Sequence, residues 1–391
     1  MDPRRAPLID KPIISADSHV IEPPSLFVDR IDKKYKDRAP RMIRDETRGD
    51  VYHIDGLARA VGIGSLGSAG KSPQEKGRVS KYALFEEQFQ AAWDGKERTA
   101  AQDVDGVAAE VLYPSIGMVL FNNPDLHYKS ACFEAYNDWM QEFSSANPDR
   151  LLGIGLTAVR TSEDGVKDLE KIKRLGLRGV AIPAMPGVED YDHEMYDDFW
   201  AASIELGLPV STHIYIGSQP KARGSMLNFA ISIIRHNQDL LSLLIFGGVF
   251  RRHPKLKVVC VEADAGWVPH YAYRMDHMYK NHRFQWDTGR ALEKLPSEQF
   301  SENIYLTFQD DFSVMKMMDM VNPRRLLWAN DFPHSDSTWP ESQKLIAENM
   351  SGLTQQQRTW ILHDNVCELY GISDANLRPR TKGPEPAKGA H

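Results

Sequence analysis

The stretch Ile13–Glu22 reads Ile-Ile-Ser-Ala-Asp-Ser-His-Val-Ile-Glu, and it decides how we interpret the rest of the chain. Two β-branched residues lead into small ones, and three possible metal ligands follow at Asp17, His19 and Glu22. A short apolar run that ends in clustered polar residues is typical of a buried strand whose carboxyl end opens into a site. Because alternate side chains of a strand share a face, we expect Asp17 and His19 to point the same way. Taken alone, the triplet is explained equally well by a turn.

The chain has 391 residues, of which 42% are hydrophobic and 26% are charged. This composition indicates a globular protein, and the length indicates one large or two ordinary domains. The formal net charge of -7 gives no basic surface for nucleic acid, so we expect none as a partner. The cysteines Cys132, Cys260 and Cys367 are far apart and form no CxxC pair, which indicates a reducing compartment. Neither a signal peptide nor an apolar stretch of about twenty residues is evident. We therefore expect a cytoplasmic protein with no membrane partner.

A regular alternation of apolar runs and helical patterns covers most of the chain from residue 100 onward. After the strand that begins at Ile13, seven further strands are predicted at Gly106–Tyr113, Leu151–Thr157, Gly179–Pro183, Pro209–His213, Lys257–Glu262, Asn303–Phe308 and Arg325–Asn330. Helical patterns separate these strands, and the connections are too long for hairpins, which indicates a parallel α/β array. Eight such units close most naturally into a TIM-type (β/α)8 barrel. A doubly wound open sheet is the main alternative.

Residues 32–100 break this rhythm and are predicted to be an insertion after strand one. The segment is charged and rich in Gly and Lys, and Val61–Ser72 contains a GxGxxG pattern. A dinucleotide site needs a strand before that pattern and an apolar helix after it, and Pro73 is followed by charged residues instead. We therefore interpret the segment as a mobile loop or lid. The predicted organisation is an N-terminal extension at 1–12, a barrel domain at 13–375 and a disordered tail at 376–391.

Polar residues follow several predicted strands at the same end. Strand one ends at Asp17 and His19, strand five at His213, strand six at Glu262 and strand eight at Asp331. The carboxyl ends of barrel strands meet at one mouth, where active sites are built, so we expect these distant side chains to converge. Each also has an ordinary structural interpretation, as a buried imidazole bonded to backbone, a helix cap or an ion-pair partner. The predicted metal ligands are Asp17, His19, Glu22, His213, Glu262 and Asp331.

At these residues the chain resembles the amidohydrolase superfamily, and within it the amidohydrolase-2 branch, which includes decarboxylases similar to aminocarboxymuconate-semialdehyde decarboxylase. The matching segments are Asp17-Ser-His19-Val-Ile-Glu22-Pro, Ser211-Thr-His213, Val261-Glu262, Gly266-Trp267-Val-Pro269, Arg274-Met-Asp276 and Trp328-Ala-Asn-Asp331-Phe-Pro-His334. The likeness extends from Ile13 to Tyr370. It implies a barrel that binds one or two divalent cations, with zinc the first expectation, and a metal-bound water or substrate carboxylate that reacts beside Asp331.

The chain departs from the pattern of this family at two positions. The superfamily usually opens with His-x-His, whereas the first position here is Asp17. The decarboxylases of the branch resemble one another in a histidine at the end of strand six, where this chain has Glu262. An oxygen-rich ligand set suits Mn or Fe at least as well as Zn. The carboxylates would repel one another unless cations compensate their charge.

The leading functional hypothesis is a metal-dependent hydrolase or non-oxidative decarboxylase acting on a small carboxylate-bearing or cyclic substrate. Asp331, Glu262 and His334 are the predicted catalytic residues, since proton transfer to and from water or substrate needs such groups. An alternative is a binuclear non-heme iron or iron–manganese oxygenase, because carboxylate-rich sets also hold such metals. A third interpretation is a non-catalytic barrel with a vestigial site.

Three aromatic residues on predicted loops at the mouth are candidates for binding the substrate. These residues are Tyr113, Tyr215 and Trp339. Tyr113 and Trp339 are explained at least as well by ordinary packing. We also expect a homo-oligomer, because the apolar helix Leu240–Phe250 suits a subunit interface as well as a core face.

Overall fold

The structure is a computed structural model that describes residues 8–215, 224–286, 291–373 and 377. Its main feature is a sheet of eight parallel strands that are neighbours in chain order. The described strands are β1 (Ile14–His19), β2 (Arg41–Asp45), β3 (Gly49–His53), β4 (Val61–Gly62), β5 (Ala109–Tyr113), β6 (Leu151–Leu156), β7 (Gly179–Ala181), β8 (Val210–His213), β9 (Val258–Val261), β10 (Ile304–Phe308) and β11 (Leu326–Trp328).

The last strand of this sheet lies beside the first, so the sheet curves into a barrel. The backbone N–H of Asp331 donates to the carbonyl oxygen of Asp17 at 3.0 Å, and the N–H of His19 donates to the carbonyl oxygen of Phe332 at 2.7 Å. These hydrogen bonds join the carboxyl ends of β1 and β11. The predicted TIM-type barrel is therefore confirmed, with all eight of its strands, and the open-sheet alternative is not supported.

Helices follow the barrel strands and cover the outside of the sheet. The described α-helices are α1 (Leu26–Arg30), α2 (Pro73–Val79), α3 (Gly95–Asp105), α4 (Ile116–Leu120), α5 (Leu126–Ser144), α6 (Ser162–Arg174), α7 (Asp197–Leu206), α8 (Met226–Ser232), α9 (Arg235–Phe246), α10 (Val249–Arg252), α11 (Val268–Trp286), α12 (Pro296–Asn303), α13 (Phe312–Lys316), α14 (Ser342–Asn349), α15 (Gln355–Thr359) and α16 (Asn365–Tyr370). A π-helical turn, Trp360–Asp364, joins the last two. Every residue of the barrel strands is buried, because helices cover one face and packed side chains fill the other.

The insertion after β1 contains regular structure of its own. Strands β2, β3 and β4 form a small antiparallel sheet, and α2 begins at Pro73 with a capping box between Ser72 and Glu75. None of the predicted strands lies in this sheet. β2 is short and mostly exposed and shows little hydrophobic pattern, whereas β3 is largely buried. The proposed role of the segment as a lid stays a prediction.

Helix α3 ends the insertion and carries an unusual buried face. Asp94 caps its start by accepting hydrogen bonds from two backbone N–H groups, and Gly106 ends it with φ at 71°. The buried residues recur at spacings of three and four, as one helix face requires. They are Gly95, Arg98, Gln102 and Asp105, so this face is polar although it packs against the barrel.

Most residues of the predicted N-terminal extension and C-terminal tail lie outside the described part of the chain. Residues 1–7 of the predicted extension and, apart from Leu377, all of the predicted tail lie outside the described residues. The domain boundaries therefore stay predictions. In the part of the chain that the structure describes, we find no helix with the length and apolar character needed to cross a bilayer.

Candidate metal centre

The carboxyl ends of β1, β8, β9 and β11 bring the predicted ligands together around His19. The Nε2 atom of His19 lies 3.4 Å from Asp17 Oδ1, 3.5 Å from Asp331 Oδ1 and 3.8 Å from Glu262 Oε2. His213 Nε2 lies 3.7 Å from Asp17 Oδ1 and 3.4 Å from Glu262 Oε2. The ligand atoms of Asp17, His19, His213 and Glu262 all lie within 4.8 Å of one another. Five residues from four strands thus meet at one point of the barrel mouth.

Two of these side chains reach the cluster because their backbone is left-handed. Glu262 has φ at 55° and Asp331 has φ at 52°, and each directly or closely follows the end of its strand. Non-glycine residues rarely adopt this conformation, which turns the chain sharply and aims the side chain inward. Such strain occurs mostly where a functional side chain must take one direction.

Both imidazoles of the cluster are held with their Nε2 atoms facing inward. The Nδ1–H of His19 donates to the carbonyl oxygen of Pro114 at 2.8 Å, and that of His213 donates to the carbonyl oxygen of Ile214 at 2.9 Å. With Nδ1 protonated, each Nε2 carries a lone pair and no hydrogen. Backbone carbonyls orient metal-binding histidines in this way in many proteins.

The inward-facing atoms are buried and have no hydrogen-bond partner among the described residues. These atoms are Asp17 Oδ1 and Oδ2, His19 Nε2, His213 Nε2, Glu262 Oε2, and Asp331 Oδ1 and Oδ2. Buried polar atoms without partners are rare, because each loses its hydration without compensation. A divalent cation would bind atoms of this kind, and the mixed oxygen and nitrogen donors suit Mn, Fe or Zn. The residues present therefore fit a metal ion.

The electrostatics of the cluster point the same way. Burial and the nearby charge of Asp331 raise the pKa of Glu262 well above its usual range, and burial and the charge of Asp17 do the same for Asp331. Burial raises the pKa of Asp17 too, but contacts with His19 and His213 lower it by more. Burial and the neighbouring His334 lower the pKa of His19 to about 3. The carboxylates Asp17 and Glu262 act in the opposite direction on His213 and raise its pKa, against the effect of burial. The three carboxylates repel one another, and a cation would remove that repulsion.

His334 joins the cluster from the loop after β11. Its ring stacks on His19 with centroids 3.8 Å apart, and its Nδ1 lies 3.1 Å from Asp331 Oδ1. Its Nε2 lies 2.9 Å from Ser115 Oγ, which donates its own hydrogen to the carbonyl oxygen of Val20 at 2.6 Å. Ser115 must therefore accept from Nε2–H, which leaves the Nδ1 lone pair facing Asp331. Sequence analysis missed Ser115, although its place just after a strand end was a usable signal.

The structure does not bring Glu22 into the cluster. Its carboxylate accepts hydrogen bonds from the backbone N–H groups of Ile116 at 2.9 Å, Gly117 at 2.8 Å and Ser115 at 3.3 Å. Glu22 thus caps the first turn of α4. Burial raises its pKa to about 7, while these N–H groups act in the opposite direction. Our ligand set therefore omits Glu22.

Tyr113 lies beneath the cluster, inside the barrel, and is fully buried. Its hydroxyl is hydrogen-bonded to Ser211 Oγ at 2.9 Å, and its ring centre is 5.4 Å from that of His213. A side chain in this position packs against the candidate ligand His213 rather than lining an open pocket. The packing interpretation of Tyr113 is thus favoured over substrate binding.

The other two aromatic candidates also lie in packed surroundings. Trp339 packs on Phe332, with ring centres 5.2 Å apart, and its indole N–H donates to the carbonyl oxygen of Ala101 at 3.1 Å. Tyr215 is half-buried directly after the turn that ends β8, with φ at 68°, and its carbonyl accepts a hydrogen bond from Asn122. Of the three, Tyr215 has the position that best suits contact with a substrate.

Comparisons with known proteins agree with this geometry. A family model described as Amidohydrolase matches residues 101–372. The 2-amino-3-carboxymuconate-6-semialdehyde decarboxylase of Dictyostelium discoideum is 21% identical over 294 residues, which covers 74% of this chain and 80% of that protein.

Two solved structures share the fold over nearly the whole chain. The amidohydrolase map2389c from Mycobacterium avium subsp. paratuberculosis has a TM-score of 0.75 and 20% identity, covering 93% of this chain and 100% of that one. A 5-carboxyvanillate decarboxylase from Novosphingobium aromaticivorans, complexed with manganese and 4-hydroxy-3-methoxy-5-nitrobenzoic acid, has a TM-score of 0.66 and 16% identity, covering 93% and 97%.

These findings confirm the predicted class, a metal-dependent hydrolase or decarboxylase, and give no support to the oxygenase alternative. The match extends from the end of the insertion to the last helix, and so includes seven of the eight barrel strands. The family model covers more than half of the chain, and the barrel gathers candidate carboxylate and imidazole ligands at one mouth, so the chain belongs to the amidohydrolase family.

Proposed function

We propose that this protein is a metal-dependent, non-oxidative decarboxylase of a small aromatic or conjugated carboxylate. The observation that carries the proposal is the set of buried, unpaired donor atoms that face one another at the barrel mouth. The relatives that are named decarboxylases supply the reaction class and the type of substrate. The expected cytoplasmic location and homo-oligomer stay predictions.

The exposed fraction of each side chain distinguishes the proposed ion ligands of the cluster from the group that would face the substrate. The side chains of Asp17, His19, His213 and Asp331 are at most 1% exposed, whereas that of Glu262 is 17% exposed. The four enclosed side chains would hold one ion through two imidazole nitrogens and two carboxylates. Glu262 reaches the open side of the cluster, where a substrate would enter.

Manganese is the metal we propose, in place of the zinc first expected. Two carboxylates with two imidazoles, and a third carboxylate beside them, make a hard, oxygen-rich set that suits Mn at least as well as Zn. The similar 5-carboxyvanillate decarboxylase was crystallised with manganese. When bound, the cation would supply the positive charge that holds the substrate carboxylate in the site.

Glu262 is the proposed proton donor. Burial and the charge of Asp331 raise the pKa of Glu262 in the metal-free protein, which favours a carboxyl group that can carry a proton. The Glu262 proton would pass to the substrate carbon that carries the carboxylate. The bond from that carbon to the carboxylate then breaks and CO2 leaves. The product, which carries the transferred hydrogen in place of the carboxylate, is released. Glu262 regains a proton from solvent through the mouth.

Hydrolysis is a second candidate, and one observation favours it. The resemblance described under Sequence analysis implies a histidine as proton donor at the end of strand six, where this chain has Glu262 instead. Asp331, with His334 Nδ1 at 3.1 Å, is placed to accept a proton from a water molecule. The assay described in the next paragraph distinguishes decarboxylation from hydrolysis.

The test uses the full-length protein, stripped of metal and reloaded with Mn²⁺ or Zn²⁺. It would be assayed for CO2 release from hydroxybenzoates and conjugated heterocyclic carboxylates, and in parallel for hydrolysis of lactones and amides. We expect Mn²⁺-dependent and oxygen-independent CO2 release that Asp331→Asn abolishes. Asp168→Asn is the control, because Asp168 is a half-buried carboxylate that accepts a hydrogen bond from Thr157 at 2.6 Å and lies outside the ligand cluster. Hydrolysis without CO2 release from any carboxylate would overturn decarboxylation in favour of the hydrolase.

A further inference from the structure

Arg98, on the buried face of α3, is fully enclosed and makes three hydrogen bonds. Its Nη1 donates to the carbonyl oxygen of His19 at 2.6 Å, and its Nη2 donates to the carbonyl oxygen of Phe332 at 3.0 Å. Its Nε donates to Glu110 Oε2 at 2.6 Å. The guanidinium also lies over the Phe332 ring, 4.7 Å from its centre.

The two carbonyl groups belong to the backbone that carries the candidate ligands. His19 is itself a proposed ligand, and Phe332 directly follows Asp331. The same Phe332 oxygen also accepts the backbone N–H of His19 at 2.7 Å. One guanidinium therefore clamps β1 to the segment after β11 at the point where His19 and Asp331 leave the barrel wall.

The residue before Asp331 is fixed from the same helix. Asn330 Nδ2 donates to Asp105 Oδ2 at 3.1 Å, and Asn330 Oδ1 accepts from Ser18 Oγ at 2.8 Å. Asp105 lies two turns after Arg98 on the same face of α3. Helix α3 thus grips the residues on both sides of Asp331, whose φ of 52° is costly without such support.

We propose that Arg98 is a positioning residue of the metal centre, which holds His19 and Asp331 at the separation that the ion requires. This inference rests on the metal-dependent function proposed above. The planar fork of arginine donates to two carbonyls and one carboxylate together, whereas a lysine ammonium is a single point that cannot reach all three. Arg98→Lys therefore keeps the charge and removes the clamp.

Loss of a buried arginine also destabilises a protein, so the test needs a matched control. Arg150 provides one: it is buried and donates to the carbonyl oxygens of Ala108 at 2.7 Å and Val107 at 3.1 Å, and to Asp103 Oδ1 at 2.8 Å. This is the same pattern of two carbonyls and one carboxylate. It lies at the amino ends of β5 and β6, at the opposite end of the barrel from the ligands.

The experiment compares Arg98→Lys and Arg150→Lys in the full-length protein. Mn²⁺ affinity would be measured by electron paramagnetic resonance titration, ligand geometry by the visible absorption of the Co²⁺-loaded protein, and stability by urea unfolding without metal. We expect both variants to lose stability. Only Arg98→Lys should weaken Mn²⁺ binding, by about 10- to 100-fold, and change the Co²⁺ spectrum. Unchanged Mn²⁺ affinity and an unchanged Co²⁺ spectrum in a folded Arg98→Lys would overturn the proposal.

A second variant covers the case in which Arg98→Lys does not fold. Glu110→Gln removes the carboxylate that orients the guanidinium and leaves Arg98 itself in place. We expect its Mn²⁺ affinity to fall by about tenfold, and an affinity equal to that of the wild type would overturn the proposal. A wild-type protein that never binds Mn²⁺ would instead contradict the proposed function. A wild type that binds Mn²⁺ and releases CO2, with both variants unaffected, would remove only the role of Arg98.

Discussion

The backbone N–H of Asp331 donates a hydrogen bond to the carbonyl oxygen of Asp17 at 3.0 Å, and so joins the last barrel strand to the first. Both residues are proposed ligands of the same ion. The closure of the barrel and the geometry of the metal centre are therefore one structural feature. A ligand that binds only the folded state stabilises it, so ion binding should be visible in the stability of the whole barrel.

Mn²⁺ should stabilise the wild type and fail to stabilise Asp331→Asn. At a free concentration 100 times its dissociation constant, the ion should add about 2.7 kcal/mol to the free energy of unfolding. Urea unfolding of stripped protein, with and without Mn²⁺, measures this difference. Asp168→Asn should respond like the wild type. Equal stabilisation of Asp331→Asn by Mn²⁺ would show that Asp331 does not bind the ion.

Glu262→Gln should separate catalysis from metal binding. The amide has nearly the shape of the carboxyl group but cannot donate an acidic proton, so kcat should fall by about 10²- to 10⁴-fold. The metal content, measured by mass spectrometry of the purified protein, should stay at that of the wild type. Asp17→Asn should instead lose metal and activity together. If Glu262→Gln lost its metal, Glu262 would be a ligand rather than the proton donor.

Mn²⁺ binding should weaken as the pH falls. Burial and the charge of Asp17 raise the pKa of Asp331, a proposed ligand, so this group holds a proton in the metal-free protein at a pH where ordinary carboxyls have lost theirs. The ion must displace any proton that is bound to a ligand. For each proton released, the dissociation constant becomes about tenfold larger when the pH is lowered by one unit. Calorimetry in two buffers with different ionisation enthalpies counts the protons. A dissociation constant that did not change as the pH was lowered would contradict the raised pKa of Asp331.

Glu22→Gln should leave the metal content unchanged and lower the stability. The glutamine amide group would replace one of the oxygens that accept from the first turn of α4, leaving a buried N–H without a partner. We expect the free energy of unfolding to fall by about 1–3 kcal/mol. Urea unfolding and metal analysis of the same sample measure the two effects. Loss of the metal would restore Glu22 to the ligand set.

The barrel was predictable from the sequence because its strands are short apolar runs with sharp ends. A polar residue at such an end, like His213 after β8, has a defined position, since parallel strands all end at one mouth. Glu22 lies beyond the end of β1, where a strand no longer fixes the direction of the side chain, and its carboxylate accepts from the first turn of α4 instead of facing the cluster. The surroundings of Arg98 were invisible in the sequence, because the burial of an arginine depends on distant groups that enclose it.

The position of the bound ion tests the central claim most directly. Crystals of the full-length protein grown with Mn²⁺ would be measured at the manganese absorption edge, where anomalous scattering locates the ion. We expect one peak per chain, in direct contact with Asp17, His19, His213 and Asp331. A peak at any other place, or no peak in crystals that contain the folded barrel and excess Mn²⁺, would contradict the account.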